Sequence, residues 1–378
     1  MIGIYAHVPY CAVRCSYCDF YLVPARGRRL EEYADALCAE IDAVAAPLRG
    51  RPADTIHFGG GTPSLLSAPL LGRVLAALGR SFSVAAGAEV ALEMNPEDVD
   101  PGRLEALAAL GVSRLSLGVQ SLDDRLLVAL RRPHDSRRAL EAIDQARCSR
   151  VRSVGVDMIL GLPEQDRGAA LRGIERVLER GADHLSLYLL EVHDRTLLGR
   201  RVALGRTVPM EADAAAALYD AAADRLAAGG FEQYEISNFA RPGHRSRHNL
   251  KYWTDQEYVG FGPSAHSYVG GKRWSNRPDL AGYLARGGVG LPRVEDPQPA
   301  AARGFEAMIA GLRLAEGVDL AAIRERYGPS LPSPDDPGLE PLLRAGLVDL
   351  SGSRLRLTRR GRLVSNEVLE RLLPTTIS

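Results

Sequence analysis

Along roughly the first 230 residues, short apolar runs alternate with stretches whose apolar positions recur at helical spacing. The runs Gly3–Val8, Thr55–Gly59, Glu89–Met94, Arg114–Val119, Val154–Leu160 and His184–Val192 read as strands. Leu30–Val44, Pro101–Leu110, Ser136–Arg147, Asp166–Arg180 and Glu211–Ala228 read as helices. A strand and a helix in strict alternation predict a parallel sheet with right-handed crossovers. Six such units are fewer than the eight of a closed barrel. The fold class expected is α/β, an open, partial (β/α)6 TIM-like barrel, with a doubly wound sheet as the alternative. In both, ligands gather at the C-terminal ends of the strands.

Residues 231–290 are rich in Gly, Tyr and Trp and read as irregular. Pro292, Pro297 and Pro299 mark a linker. Beyond it, helical patterns precede a hairpin that turns at Ser351-Gly352-Ser353, followed by a helix over Arg360–Leu373. This predicts a small helical, winged-helix-like domain. The expected division is a core over 1–235, an irregular segment and linker over 236–297, and a C-terminal domain over 298–378.

Charge changes the picture little: Lys+Arg and Asp+Glu are 47 each, which argues against a protein built to coat nucleic acid. Arg354, Arg356, Arg359, Arg360 and Arg362 form a local basic run; a solvated face, on a module that lids the barrel mouth, is expected of it rather than DNA binding. No apolar run reaches about 18 residues, so no spanning helix is expected. The N-terminus has no basic and apolar leader pattern, so no signal peptide is expected.

Cysteine usage changes it most. Of five cysteines, Cys11, Cys15 and Cys18 crowd one loop after the first strand. A disulfide framework would be spread out, so the spacing points to a metal in a reducing cytoplasm. Three thiolates can hold three corners of an iron–sulfur cube and leave the fourth iron open. The competing readings are a structural zinc site, which would want a fourth ligand at suitable spacing, and buried thiols. Cys38 and Cys148 lie on helical patterns and read as ordinary packing residues. The turn Gly59-Gly60-Gly61-Thr62-Pro63 follows the second strand, where glycines permit close backbone approach and expose N–H groups. Glu93, Asn95, Gln120 and Asp157 lie at or near later strand ends, where polar groups suit a ligand mouth. Arg132 can clamp a carboxylate.

The cysteine spacing resembles that of radical S-adenosylmethionine (SAM) proteins. Such a resemblance implies a [4Fe-4S] cluster whose open iron chelates SAM. Tyr5-Ala6-His7-Val8-Pro9-Tyr10-Cys11, Tyr17-Cys18-Asp19-Phe20, Gly59–Pro63, Gly118-Val119-Gln120-Ser121 and Asp157–Pro163 are similar to segments of the oxygen-independent coproporphyrinogen III oxidase family. That resemblance implies that Tyr5, Gly60, Gly61, Thr62 and Glu93 line SAM. It also implies that Gln120, Arg132 and Asp157 match positions for a second SAM, with His7 and His57 in support.

Two features resemble a sister branch instead, the HemW-type heme chaperones. Phe20 stands where the oxidases have a further cysteine, and His248-Asn249-Leu250-Lys251-Tyr252-Trp253 fits the branch pattern HNxxYW. The branch implies heme as cargo, a respiratory client that accepts it, an electron donor and weak peripheral membrane contact. His248 is the heme ligand candidate, with Tyr252 and Trp253 as flat apolar surface. His244 and His266 compete, and a structural His248-Asn249 pair is the other reading. Glu191-Val192-His193-Asp194-Arg195-Thr196 departs from the Glu-Pro-Gly-Thr of relatives. The alternatives in function are propionate decarboxylation of coproporphyrinogen III and a SAM-dependent methyltransferase or cyclopropanase.

Overall fold

Each of the six strands expected before residue 230 forms. In the computed structural model, which describes residues 1–25 and 29–373, they are β1 (Ile2–Val8), β2 (Pro52–Gly60), β3 (Ser83–Met94), β4 (Arg114–Gln120), β5 (Ser153–Leu160) and β6 (His184–Leu189). They lie side by side in chain order, each pair parallel. A doubly wound sheet would reverse its strand order partway. The unbroken order therefore decides for the partial barrel. Helices Leu30–Val44, Ala68–Ser81, Pro101–Ala109, Ser136–Cys148 and Arg167–Glu179 make the crossovers. Asp100, Asp135 and Asp166 cap three of them by accepting the N–H of Arg103, Arg138 and Ala169. Each cap satisfies an otherwise orphaned helix N–H and fixes where the helix begins after its strand. Ile2, Ile4, Ala6 and Val8 on one face of β1 are wholly buried, and Gly3 and His7 on the other face are buried too, as a strand covered on both faces requires.

The segment expected to be irregular is largely ordered. Tyr258–Phe261 (β7) pairs parallel with the free edge of β1, and His266–Val269 (β8) and Lys272–Asn276 (β9) follow antiparallel. Their anchor is Glu40 on the first helix. Its carboxylate accepts from Gly262 N (2.7 Å), Asn276 Nδ2 (2.8 Å) and Tyr283 Oη (2.8 Å). All four residues are buried, and a buried carboxylate is tolerated only when so satisfied.

The residues fall into two units that alternate along the chain. Met1–Glu232, Phe239–His244 and Glu257–Glu295 make one; Gln233–Asn238, Arg245–Gln256 and the chain from Asp296 make the other. The second has its own core, including Phe305, Met308, Leu312, Leu355 and Val368. Its three-stranded antiparallel sheet puts Arg354–Leu357 between Val318–Asp319 and Val348–Ser351. The hairpin turns at Gly352 with φ +59°, a left-handed conformation that glycine adopts freely. The last helix differs from expectation: it breaks at Val364 into Arg359–Leu363 and Ser365–Leu372. Part of the basic run is neutralised locally, since Arg356 Nε donates to Asp349 at 2.8 Å.

Candidate functional site

The cysteine loop is fastened at both ends and in its middle. Val23 N donates to Pro9 O (2.6 Å) and Ala25 N to Cys11 O (2.8 Å), closing the loop on β1's exit. Ser16 N and Oγ donate to Leu130 O (3.1 Å) and Ala129 O (3.0 Å), and Ser16 O accepts from Leu198 N (2.7 Å). All five cysteines are free thiols.

The glycine turn holds this loop rather than offering open N–H groups, which corrects that expectation. Gly61 N donates to Val8 O (2.8 Å), Thr62 N to Tyr10 O (2.7 Å) and Gly60 N to Glu93 Oε2 (3.2 Å). A Cβ on Gly61 would stand 2.6 Å from Tyr10 O and 2.9 Å from Val8 O. One on Gly60, where φ is +111°, would meet the His7 ring at 2.7 Å. The glycines are there because two backbone carbonyls and an imidazole occupy the space a side chain would fill.

Donors aim at two of the three sulfurs. The Thr62 hydroxyl donates to Cys11 Sγ at 3.3 Å, and Arg132 Nη1 donates to Cys15 Sγ at 3.3 Å. Burial pushes the Cys11 thiol up to about 11 and raises that of Cys18. Bound iron would reverse this by taking the thiolate form. Among the described residues no three His, Cys, Asp or Glu side chains close around a single ion; a four-iron cluster takes one thiolate per corner. Arg132 Nε is buried without a partner, a donor still open to a ligand oxygen. The donor set fits an iron–sulfur cluster and an anionic ligand beside it.

On the neighbouring strands, Tyr5 Oη stands 3.0 Å from His7 Nδ1, and the Tyr5 ring stacks on His57 at 5.8 Å. His57 Nε2 lies 3.0 Å from Glu93 Oε1. Burial lowers the His7 pKa, keeping the imidazole neutral. Burial pushes the Asp157 carboxyl up to about 6, the Glu93 charge adding to the rise while hydrogen bonds from Ser186 and Ser116 oppose it. Ser116 Oγ reaches both Asp157 oxygens at 3.0 Å. Gln120 takes φ +67° where β4 slips register against β5. Tyr5, Gly60, Glu93 and Asp157 thus form one group and Cys11, Cys15, Thr62 and Arg132 another. Ser16, Ser116 and Ser186 were not singled out in the sequence, and lone serines at such separations carry no signal there.

His248 belongs to the second unit, on a helix spanning Arg247–Trp253. It has no exposed surface, and its Nε2 stands 2.8 Å from Tyr252 Oη. Trp253 carries the Arg313 guanidinium over its ring at 4.6 Å. Of the competitors, His244 Nδ1 lies 3.2 Å from Ser153 Oγ, and His266 is exposed.

Residues 5–172 match the radical SAM superfamily and residues 298–364 the HemN C-terminal domain. The chain is 38% identical over 381 residues to the heme chaperone HemW of Mycobacterium tuberculosis, covering 98% of this chain and 94% of that one. It is 33% identical to HemW of Bacillus subtilis, covering 97% and 98%. The fold matches coproporphyrinogen III oxidase (HemN) of Escherichia coli with a TM-score of 0.84 at 23% identity, covering 98% of this chain and 89% of that one. A radical SAM domain implies a [4Fe-4S] cluster and SAM. The chain belongs to the HemW family of radical SAM proteins.

Proposed function

We propose that this chain is a heme carrier built on a radical SAM core, and that it delivers heme to respiratory client proteins. Cys11, Cys15 and Cys18 hold the [4Fe-4S] cluster. Tyr5, Gly60, Gly61, Thr62 and Glu93 line SAM at the open iron, and Gln120, Arg132 and Asp157 serve a second SAM position. When bound, such a cluster would supply one electron, received from an electron donor protein, to the sulfonium of SAM. What the chain's own residues do is hold and shield: the glycine turn fixes the cysteine loop, Glu93 is oriented by His57, and neutral His7 braces Tyr5. His248 is the proposed heme ligand. The protein works in the cytoplasm, with peripheral membrane contact at its clients; no helix among the described residues is long and apolar enough to cross a membrane.

The observation that carries the reading is the end-to-end likeness to chains named heme chaperones. Phe20 supports it: a 64% exposed phenylalanine stands where the oxidases have a cysteine. The test is a hemin titration of the anaerobically reconstituted protein, followed at the Soret band beside His248→Ala. Saturable, stoichiometric binding that persists in salt is expected. Absent binding, with turnover of coproporphyrinogen III in the presence of SAM and reductant, would give the oxidase reading instead. Absent binding with methyl transfer from SAM would give the methyltransferase one.

A further inference from the structure

Thr62 and Arg132 are placed by family resemblance at SAM, yet each already donates a hydrogen bond to a cluster cysteine. The two donors are joined by a third residue. Arg132 Nη2 donates to Asn95 Oδ1 at 2.6 Å and to Gly118 O at 2.8 Å. Asn95 Nδ2 donates to Thr62 Oγ1 at 3.5 Å, and the Thr62 hydroxyl passes its own hydrogen to Cys11 Sγ at 3.3 Å. The chain runs from Cys15 Sγ through Arg132, Asn95 and Thr62 to Cys11 Sγ. The amide orientation follows from its partners: turned over, it would set its NH2 against the guanidinium, donor to donor. Every hydrogen along the chain then points away from Arg132, one way directly to Cys15 and the other way through Asn95 and Thr62 to Cys11, the arrangement in which neighbouring bonds strengthen one another. Thr62 is buried, so little water competes.

We propose that this belt sets the reduction potential of the cluster, with Asn95 as the positioning residue that aims both donors. The proposal rests on the reading that the three cysteines hold a [4Fe-4S] cluster. Reduction adds one negative charge to the cluster. A guanidinium and a hydroxyl hydrogen bonded to its thiolates stabilise that charge more than the oxidised form, and so raise the potential. Neither Asn95 nor Gly118 is a ligand in this scheme. They hold the planar guanidinium so that its remaining edge faces Cys15.

The test is a potentiometric titration of the reconstituted full chain, read by electron paramagnetic resonance of the reduced cluster. SAM is left out, so that lost SAM contacts cannot account for a shift. Arg132→Gln removes the charge; Thr62→Val and Asn95→Leu remove one donor and the link at similar size. At the wild-type midpoint, Arg132→Gln is expected to lower the ratio of reduced to oxidised cluster about tenfold, about 59 mV for a one-electron couple. Thr62→Val and Asn95→Leu are expected to lower it about threefold each. Variants with wild-type iron and sulfide content but an unmoved midpoint would overturn the belt and leave the cluster standing. Should Arg132→Gln fail to hold iron, the isosteric Thr62→Val decides alone, an unmoved midpoint counting against the proposal. A wild-type chain that takes up no cluster would remove the cysteine reading itself.

Discussion

His248 Nε2 and the Tyr252 hydroxyl lie 2.8 Å apart on one face of the same short helix, their rings edge to face at 5.2 Å. A metal ligand needs a free lone pair on the ring nitrogen, and this one faces a phenol. Heme ligation through Nε2 therefore has to displace Tyr252. On that basis Tyr252→Phe should strengthen hemin binding about fivefold, from the roughly 1 kcal/mol of a typical hydrogen bond no longer to be broken. His248→Ala should weaken it by an order of magnitude or more. Soret titrations of the two variants check this. Weaker binding in Tyr252→Phe would point to the tyrosine, not the imidazole, as the heme contact.

Glu40 makes stability depend on pH. Burial pushes its carboxyl up to about 7 from 4.5, against the opposing hydrogen bonds from Gly262, Tyr283 and Asn276. The folded state thus holds the proton more tightly than the unfolded one. That stabilisation is complete below about pH 4.5 and is lost as pH rises through about 7. Its size by linkage is about 3 kcal/mol at most. Glu40→Gln should abolish this slope. Urea unfolding of the two proteins should show the variant gaining on the wild type between pH 5 and pH 8; parallel curves would assign the slope elsewhere.

The sequence made the barrel legible because its strands are long and apolar. Ile2–Val8 and Ser153–Leu160 are buried on both faces and carry the pattern of that burial. The extension Tyr258–Asn276 was not legible: its strands have four or five residues each and mix Tyr, His, Ser, Lys and Arg, too short and polar for any period to emerge. The helix Arg247–Trp253 has seven residues, under two full turns, and hid for the same reason. Cys11, Cys15 and Cys18 could be read because their relation is local. The contact of Arg132 with Cys15 spans 117 residues and exists only once β1 and β4 are set in their places. The glycine turn was legible in composition but not in role, since the carbonyls of Val8 and Tyr10 that fill its space come from another strand's exit.

That close approach yields a sharp prediction. An added methyl at Gly61 meets two backbone carbonyls, which cannot turn aside as a side chain would. Gly61→Ala should cost about 1–3 kcal/mol as an overpacked site and push the cysteine loop off β2. Iron and sulfide per chain after reconstitution should fall toward the level of Cys11→Ala. Gly79→Ala, where a Cβ meets nothing, should keep full content and serve as the control. Full iron loading in Gly61→Ala would mean that the loop is positioned by its other anchors, at Ser16 and Val23.

Asp157 separates stability from binding by the sign of their pH dependence. Its carboxyl is raised from 3.8 to about 6, so its share of folding stability is complete below about pH 3.8 and is lost as pH rises through about 6. A ligand that donates hydrogen bonds to this side chain wants the opposite, the ionised carboxylate. If Asp157 holds SAM, affinity should fall as pH drops through about 6, by about tenfold a unit below that point. Asp157→Asn should flatten the profile at the low-affinity level. Ser116 donates to both carboxylate oxygens and so favours ionisation. Ser116→Ala should therefore move the midpoint of the binding profile upward while leaving the affinity at pH 8 nearly unchanged. Equilibrium dialysis of SAM against the reconstituted protein at pH 5 to 8 reads all three. A flat wild-type profile would free Asp157 of any part in binding, and its hydrogen bonds to Ser116 and Ser186 would then serve the barrel interior alone.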